Sequence, residues 1–252
     1  MLMIGNAMEV KRDDLKAIRT PTATSTWRPC GHYEAVQTLI ERAEARGMKL
    51  RSERYAIMPG RLYPTPGVAV ELPGGRMFAS LDFEPIPGIE LPPGIFPSAG
   101  LKNSHDRSTA FSALCGGKLV LCSNGVMVAD KIVTRRHTSG LELIASIDAA
   151  LDEFRASLGR FNDMHAALNN WRLSKTKAHS LVVELARAGA FASSDILPVI
   201  SEFESPTYPE FRAPTAWHLY QASTEAALKK QSPQRQTEGF KALNSVLMAN
   251  LN

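Results

Sequence analysis

The spacing of apolar residues changes character along the chain and separates a helix, a run of strands and a helical remainder. Residues 1–31 show no sustained period: Thr20-Pro21-Thr22-Ala23-Thr24-Ser25-Thr26 has loop composition, and Trp27-Arg28-Pro29 leads out of it. Ala35, Val36, Leu39, Ile40 and Ala43 then recur at helical spacing, predicting a helix over 32–46 with Gly47 as its left-handed terminator. Alternation takes over next. Residues 55–58, 67–72 and 76–83 read as strands, with Pro73-Gly74-Gly75 as a hairpin turn between the last two. The stretch 85–97 holds five prolines and reads as a long surface loop.

Residues 109–115 and 118–122 predict two further strands joined by Gly116-Gly117, and Asn124-Gly125 is a second hairpin signal before a strand over 126–133. Beyond Ser139 the period is helical. Leu141, Ile144, Ile147, Leu151, Phe154 and Leu158 predict one long amphipathic helix reaching residue 171, with Gly159 as the point for a bend. Shorter helices follow over 175–188 with Ser174 as N-cap, 193–203, 215–230 and 237–248. The fold class expected is α+β: an N-terminal, mostly antiparallel sheet with one or two helices, followed by an all-helical C-terminal part. The organisation expected is an arm over 1–31, a sheet region over 32–138 and a helical region over 139–252 packed with the sheet as one domain.

Composition narrows this little. The 252 residues are 44% hydrophobic and 21% charged, which is ordinary for a globular chain. The net charge of +4 permits a polyanionic partner without requiring one. The odd set Cys30, Cys115 and Cys122 makes no disulfide framework and fits a reducing compartment. The first ten residues have no signal-peptide pattern, and no apolar run approaches the length of a membrane span. No membrane association is expected, and the location expected is cytoplasmic.

Candidate chemistry concentrates in Asn103-Ser104-His105-Asp106-Arg107-Ser108-Thr109. A carboxylate beside an imidazole can fix its tautomer and raise its basicity, so His105 and Asp106 are the candidates for a hydrolase or nuclease. Sequence neighbours do not share a strand face, however, and Asp106 and Ser104 are natural turn formers, so a structural turn is the favoured reading. The six histidines and three cysteines show no metal-ligand spacing, and no phosphate loop or dinucleotide fingerprint occurs. Neither metal nor cofactor is expected. Cys122 lies in an apolar run, where a thiol is usually inert. The basic residues form a better pattern. Lys131, Arg135, Arg136 and His137 close a strand, and Lys102 and Arg107 border the polar segment. Folded as a sheet, these bring Arg107, Lys131, Arg135, Arg136 and His137 to one edge as a phosphate-reading strip, with Asn103 and His105 as nearby polar contacts.

Four motifs in order add a resemblance: Thr26-Trp27-Arg28-Pro29 with His32-Tyr33, Asn103 to Ser108, Cys122-Ser123-Asn124-Gly125, and Thr215-Ala216-Trp217 with Tyr220, Ala222 and Thr224-Glu225. Together they resemble the family of domain of unknown function 932, also called phage/plasmid-like proteins. The resemblance implies association with phages, prophages and plasmids inside a bacterial host cell, and a role around foreign DNA; it supplies no catalytic residues. The function expected is therefore a non-enzymatic, nucleic-acid-binding accessory protein of a mobile element, serving recombination, replication or anti-defence. The partners expected are single- or double-stranded DNA. A host protein, held by an interaction module that inhibits it, is the alternative, and self-association into a homo-oligomer is compatible with the sequence.

Overall fold

The computed structural model describes residues 7–65, 67–92, 94–119, 127–138, 142–231 and 233–251, with side chains described except at 118–119, 127–132, 233–234 and 237. The elements are β1 (Met8–Val10), α1 (His32–Glu44), β2 (Leu50–Thr65), β3 (Val68–Phe83), β4 (Ile95–Ser104), β5 (Phe111–Leu119), β6 (Met127–Arg135), α2 (Leu143–Asp152), α3 (Phe154–Asn170), α4 (Lys175–Arg187), α5 (Ile196–Glu204), α6 (Ala216–Ala226) and α7 (Pro233–Leu251). The strands form one six-stranded antiparallel sheet in sequence order, so the fold is α+β as the periodicity predicts. The chain divides into two compact units, one of residues up to 118 with 127–160 and one from 161 onward.

In the sheet unit one face of β2 to β5 carries the core. Tyr55 and Ile57 of β2, Met77, Ala79, Leu81 and Phe83 of β3, Ala99 and Leu101 of β4, and Phe111, Ala113 and Cys115 of β5 are all buried at alternate positions. Helices α1 and α2 lie on this face, α1 through Ala35, Val36, Leu39, Ile40 and Ala43, α2 through Ile147, Ala150 and Leu151. Arg42 clamps Asp148 with two hydrogen bonds of 2.8 and 2.7 Å, tying the helices at their solvent edge. Gly47, at φ +75°, ends the chain's turn out of α1 as its position in the sequence predicts.

Several local expectations fail, each for a visible reason. Pro73-Gly74-Gly75 is not a hairpin turn. It is a bulge inside β3: between the pairs Met58↔Arg76 and Gly60↔Leu72, β3 advances four residues while β2 advances two. The strands pair across Thr65↔Val68 instead, with Gly67 at φ +82° beside that pair. Gly116-Gly117 likewise lies within one strand, β5, at a register shift against β6, so β5 and β6 stand where three strands are expected among the described residues. Asn124-Gly125, with Cys122 and Ser123, lies outside the described residues. The proline-rich segment ends early: Ile95 opens β4, and Pro97 precedes the first pair of β4 with β3, Asp82↔Ser98. The long helix breaks at Glu153, not at Gly159, which sits inside α3 with open space around its α-carbon. The arm adds a strand that its composition does not predict, β1; the short helical turn for which Lys11 to Arg19 has room is present as a 3-10 turn, Asp13–Ala17, with Leu15 buried in the core.

The helical unit follows the predicted pattern. Ser174 accepts from the Lys177 amide at 3.2 Å and caps α4, and Thr215 accepts from the His218 amide at 3.2 Å and caps α6.

Candidate functional site

The row of core positions on β4 runs Ala99, Leu101, Asn103. A polar residue on an apolar row has to find its partners inside the protein, and Asn103 does. Its Nδ2 donates to the Cys30 carbonyl at 3.0 Å and to His32 Nδ1 at 2.9 Å, while its Oδ1 accepts from the Cys30 thiol at 3.4 Å. His32 opens α1 and points its Nε2 at the Gly74 carbonyl, 2.8 Å away. A carbonyl only accepts, so the ring proton is on Nε2 and Nδ1 is left as the acceptor for Asn103. His105 donates from Nε2 to the Cys30 carbonyl at 2.9 Å, and its ring stacks on that of His32 with centroids 3.8 Å apart and planes 5° apart. The β3 bulge supplies the other half of the scaffold. Gly74 receives His32, and the Gly75 carbonyl receives the His105 amide at 2.7 Å.

Asp106 does not orient His105. One carboxylate oxygen accepts from Arg76 Nε at 2.7 Å, and the other accepts from the Ser108 amide at 3.0 Å and the Ser108 hydroxyl at 2.5 Å. The amide bond closes a turn two residues ahead, the structural role expected of an Asp in this setting. Burial works against the charged form of Asp106, yet Ser108 and Arg76 outweigh it and hold the carboxyl below its ordinary range. The turn places Arg107 at φ +61°, a left-handed conformation costly for a side-chain-bearing residue. Its guanidinium lies over the Trp27 ring, 4.5 Å from the centroid.

Burial pushes the imidazoles down. His32 falls to about 3, first through burial and then through the neighbouring His105 ring. His105 and His137 are lowered for the same leading reason. Burial also raises the Cys30 thiol to about 12, so it is an inert neutral group. Among the described residues no cluster of three or more His, Cys, Asp or Glu is arranged to hold a metal ion, and His32 has both nitrogens engaged.

The residues of the expected strip separate into two sets. Asn103 and His105 are buried parts of the scaffold, and His137 is buried as well, at 5% exposure. Both His137 ring nitrogens lack a well-formed hydrogen bond; the Arg28 main chain beside the ring favours its protonated form without a bond of good geometry. Arg107, Arg135 and Arg136 are exposed, while the Lys131 side chain lies outside those described. Arg135 donates to the Thr134 carbonyl at 3.1 Å. Lys102 is half-buried, and burial lowers its ammonium.

Arg28 belongs with the exposed set and was not singled out for binding. Its amide donates to the His137 carbonyl at 3.0 Å, which brings the Trp27–Arg28 segment against Arg136–His137, while Arg107 reaches the same place through Trp27. Among the described residues, Arg28, Arg107 and Arg136 meet no carboxylate. The signal available in the sequence was the Thr26-Trp27-Arg28-Pro29 motif with His32, read there only as a mark of resemblance.

No curated protein and no solved structure matches the chain. A family model described as a domain of unknown function, DUF932, matches residues 95–248, a span that takes in Asn103 to Thr109 and the Thr215 motif and leaves out Trp27 to His32. That is more than half of the chain, and the protein belongs to the DUF932 family.

Proposed function

We propose that this protein binds nucleic acid through its phosphates, at the rim formed by Arg28, Arg107, Arg135 and Arg136, as an accessory protein of a mobile element acting in recombination, replication or anti-defence. The observation that carries the reading is that Arg107 lies over Trp27 while the Trp27–Arg28 segment is bonded to Arg136–His137, with no carboxylate paired to Arg28, Arg107 or Arg136 among the described residues. Guanidinium groups left free on a rigid frame are suited to phosphate oxygens. The resemblance to phage/plasmid-like proteins supports the mobile-element setting. A hydrolase built on His105 and Asp106 has less support, because Asp106 is spent on Arg76 and Ser108, and His105 is closed in by Cys30 and His32.

The test is titration of labelled single- and double-stranded oligonucleotides between about 50 and about 200 mM salt. Affinity should fall steeply with salt. Replacing Arg28, Arg107 and Arg136 together by Ala should lower the salt slope by about 0.7 per lost contact on a single strand and about 0.9 on a duplex. No binding of either form at the low-salt end rejects the proposal.

A further inference from the structure

We infer that Trp27, Arg28, Arg107, Arg136 and His137 form a site for a terminal phosphate, the monoester at the end of a nucleic-acid strand. This rests on the nucleic-acid reading above and narrows it to one chemical group.

Two buried polar side chains at this place lack well-formed hydrogen bonds. Among the described residues the Trp27 Nε1–H has no partner, and the His137 ring nitrogens make no bond of good geometry, the Arg28 main chain lying beside the ring; the two residues are 7% and 5% exposed. Buried polar groups are nearly always bonded, and one left unsatisfied costs about 1–3 kcal/mol. The segments that carry them are adjacent, since the Arg28 amide next to Trp27 is bonded to the His137 carbonyl. An indole can only donate, and a neutral imidazole keeps one N–H in either tautomer. Beside them stand Arg107, whose guanidinium lies over the Trp27 ring, and the exposed Arg28 and Arg136, next in sequence to Trp27 and His137. Asp106, the carboxylate next in sequence to Arg107, is already occupied by Arg76 and Ser108. The constellation thus offers donors and positive charge and almost no acceptor, and its complement is an oxyanion.

The burial of the two N–H groups says which oxyanion. An internal phosphodiester carries a nucleoside on each side and meets only the exposed guanidinium groups. A terminal phosphate has one substituent and three free oxygens, so it can reach below the rim. It also carries close to two charges at neutral pH, matching several guanidinium groups. Arg107 covers the indole in this structure; being exposed, its side chain can swing off Trp27 and remain within reach of the entering group.

The experiment compares one single-stranded oligonucleotide in three forms: 5′-phosphorylated, 3′-phosphorylated and without terminal phosphate. One phosphorylated form should bind about tenfold tighter or more, a difference of about 1.4 kcal/mol. Inorganic phosphate should compete with that form and not with the unphosphorylated one. Arg136→Ala, at an exposed residue, should abolish the preference without moving the melting temperature, and Trp27→Phe should weaken it. Equal affinity for all three forms overturns the inference and leaves the nucleic-acid reading standing; failure of all three to bind removes both.

Discussion

Asn103 shows how a single side chain can hold a scaffold together. It satisfies the Cys30 carbonyl and thiol and fixes the tautomer of His32, and each of these groups is buried. Asn103→Ala leaves His32 Nδ1 without a donor and should cost about 1–3 kcal/mol. Urea unfolding should show this as a lower midpoint at unchanged slope. A midpoint equal to that of the parent protein would mean that water replaces the amide. The residues of this cluster differ in how far the sequence reveals them. The turn role of Asp106 is legible because its partner Ser108 is two residues away. The partners of His105 and Asn103 lie more than seventy residues earlier, at Cys30 and His32, so no local pattern could assign them. His105 accordingly looks like a candidate base when read beside Asp106 and is a stacked, hydrogen-bonded core residue once folded.

At the scale of elements, the helices and their caps follow from local chemistry, and the strand interruptions do not. Pro-Gly-Gly and Gly-Gly are the residues a tight turn demands, and they also suit a bulge where backbone and neighbouring groups approach closely. Choosing between the two needs the partner strand. Gly60 and Gly75 make the point: a Cβ on Gly75 would fall 2.7 Å from the Gly60 α-carbon, and one on Gly60 would come within 2.8 Å of the Asp106 Cβ and Cγ. Gly60→Ala should therefore displace the Asp106–Ser108 turn and cost about 1–3 kcal/mol. Because Arg107 rides on that turn, the same variant should lose nucleic-acid affinity by more than its fraction unfolded explains. Thermal melting and a binding titration on one preparation separate the two effects. The break between α2 and α3 was illegible for a related reason: Leu151 and Phe154 are both core residues, and their spacing satisfies one continuous helix as well as two.

For the whole molecule, the buried imidazoles set the response to acid. The unfolded chain binds protons on each His near its ordinary value of about 6.5, while the folded sheet unit resists until much lower pH, about 3 for His32. Below pH 6.5 the unfolded state therefore holds more protons, and stability falls as pH falls, down to the folded value. His32 alone should remove about 2 kcal/mol by pH 5, and His105 and His137 act in the same direction. In the helical unit His165 and His218 are lowered by burial too. Denaturant midpoints measured from about pH 7.5 to about pH 5 should drop steadily, and a flat profile would show that the imidazoles open to water before the chain unfolds. The net charge of +4 gives only weak overall attraction to a polyanion. On the proposed reading, the placement of Arg28, Arg107, Arg135 and Arg136 rather than the net charge would set the affinity for a polyanion.

The bulge in β3 also decides where the sheet stops being a sheet. On its near side β3 is held by β4 through the pairs Arg76↔Ser104 to Asp82↔Ser98, and β2 is held by β1 at Tyr55, Ala56 and Ile57. On its far side, residues 60–65 and 68–72 pair only with each other among the described residues, and Tyr63, Val68 and Val70 stand open to solvent. With no third strand beside it among the described residues, the far ribbon should exchange its amides with solvent well before those of 77–82. Mechanically the bulge is a fulcrum: a force on the ribbon tip is delivered to the two glycine carbonyls that hold His32 and His105 in place.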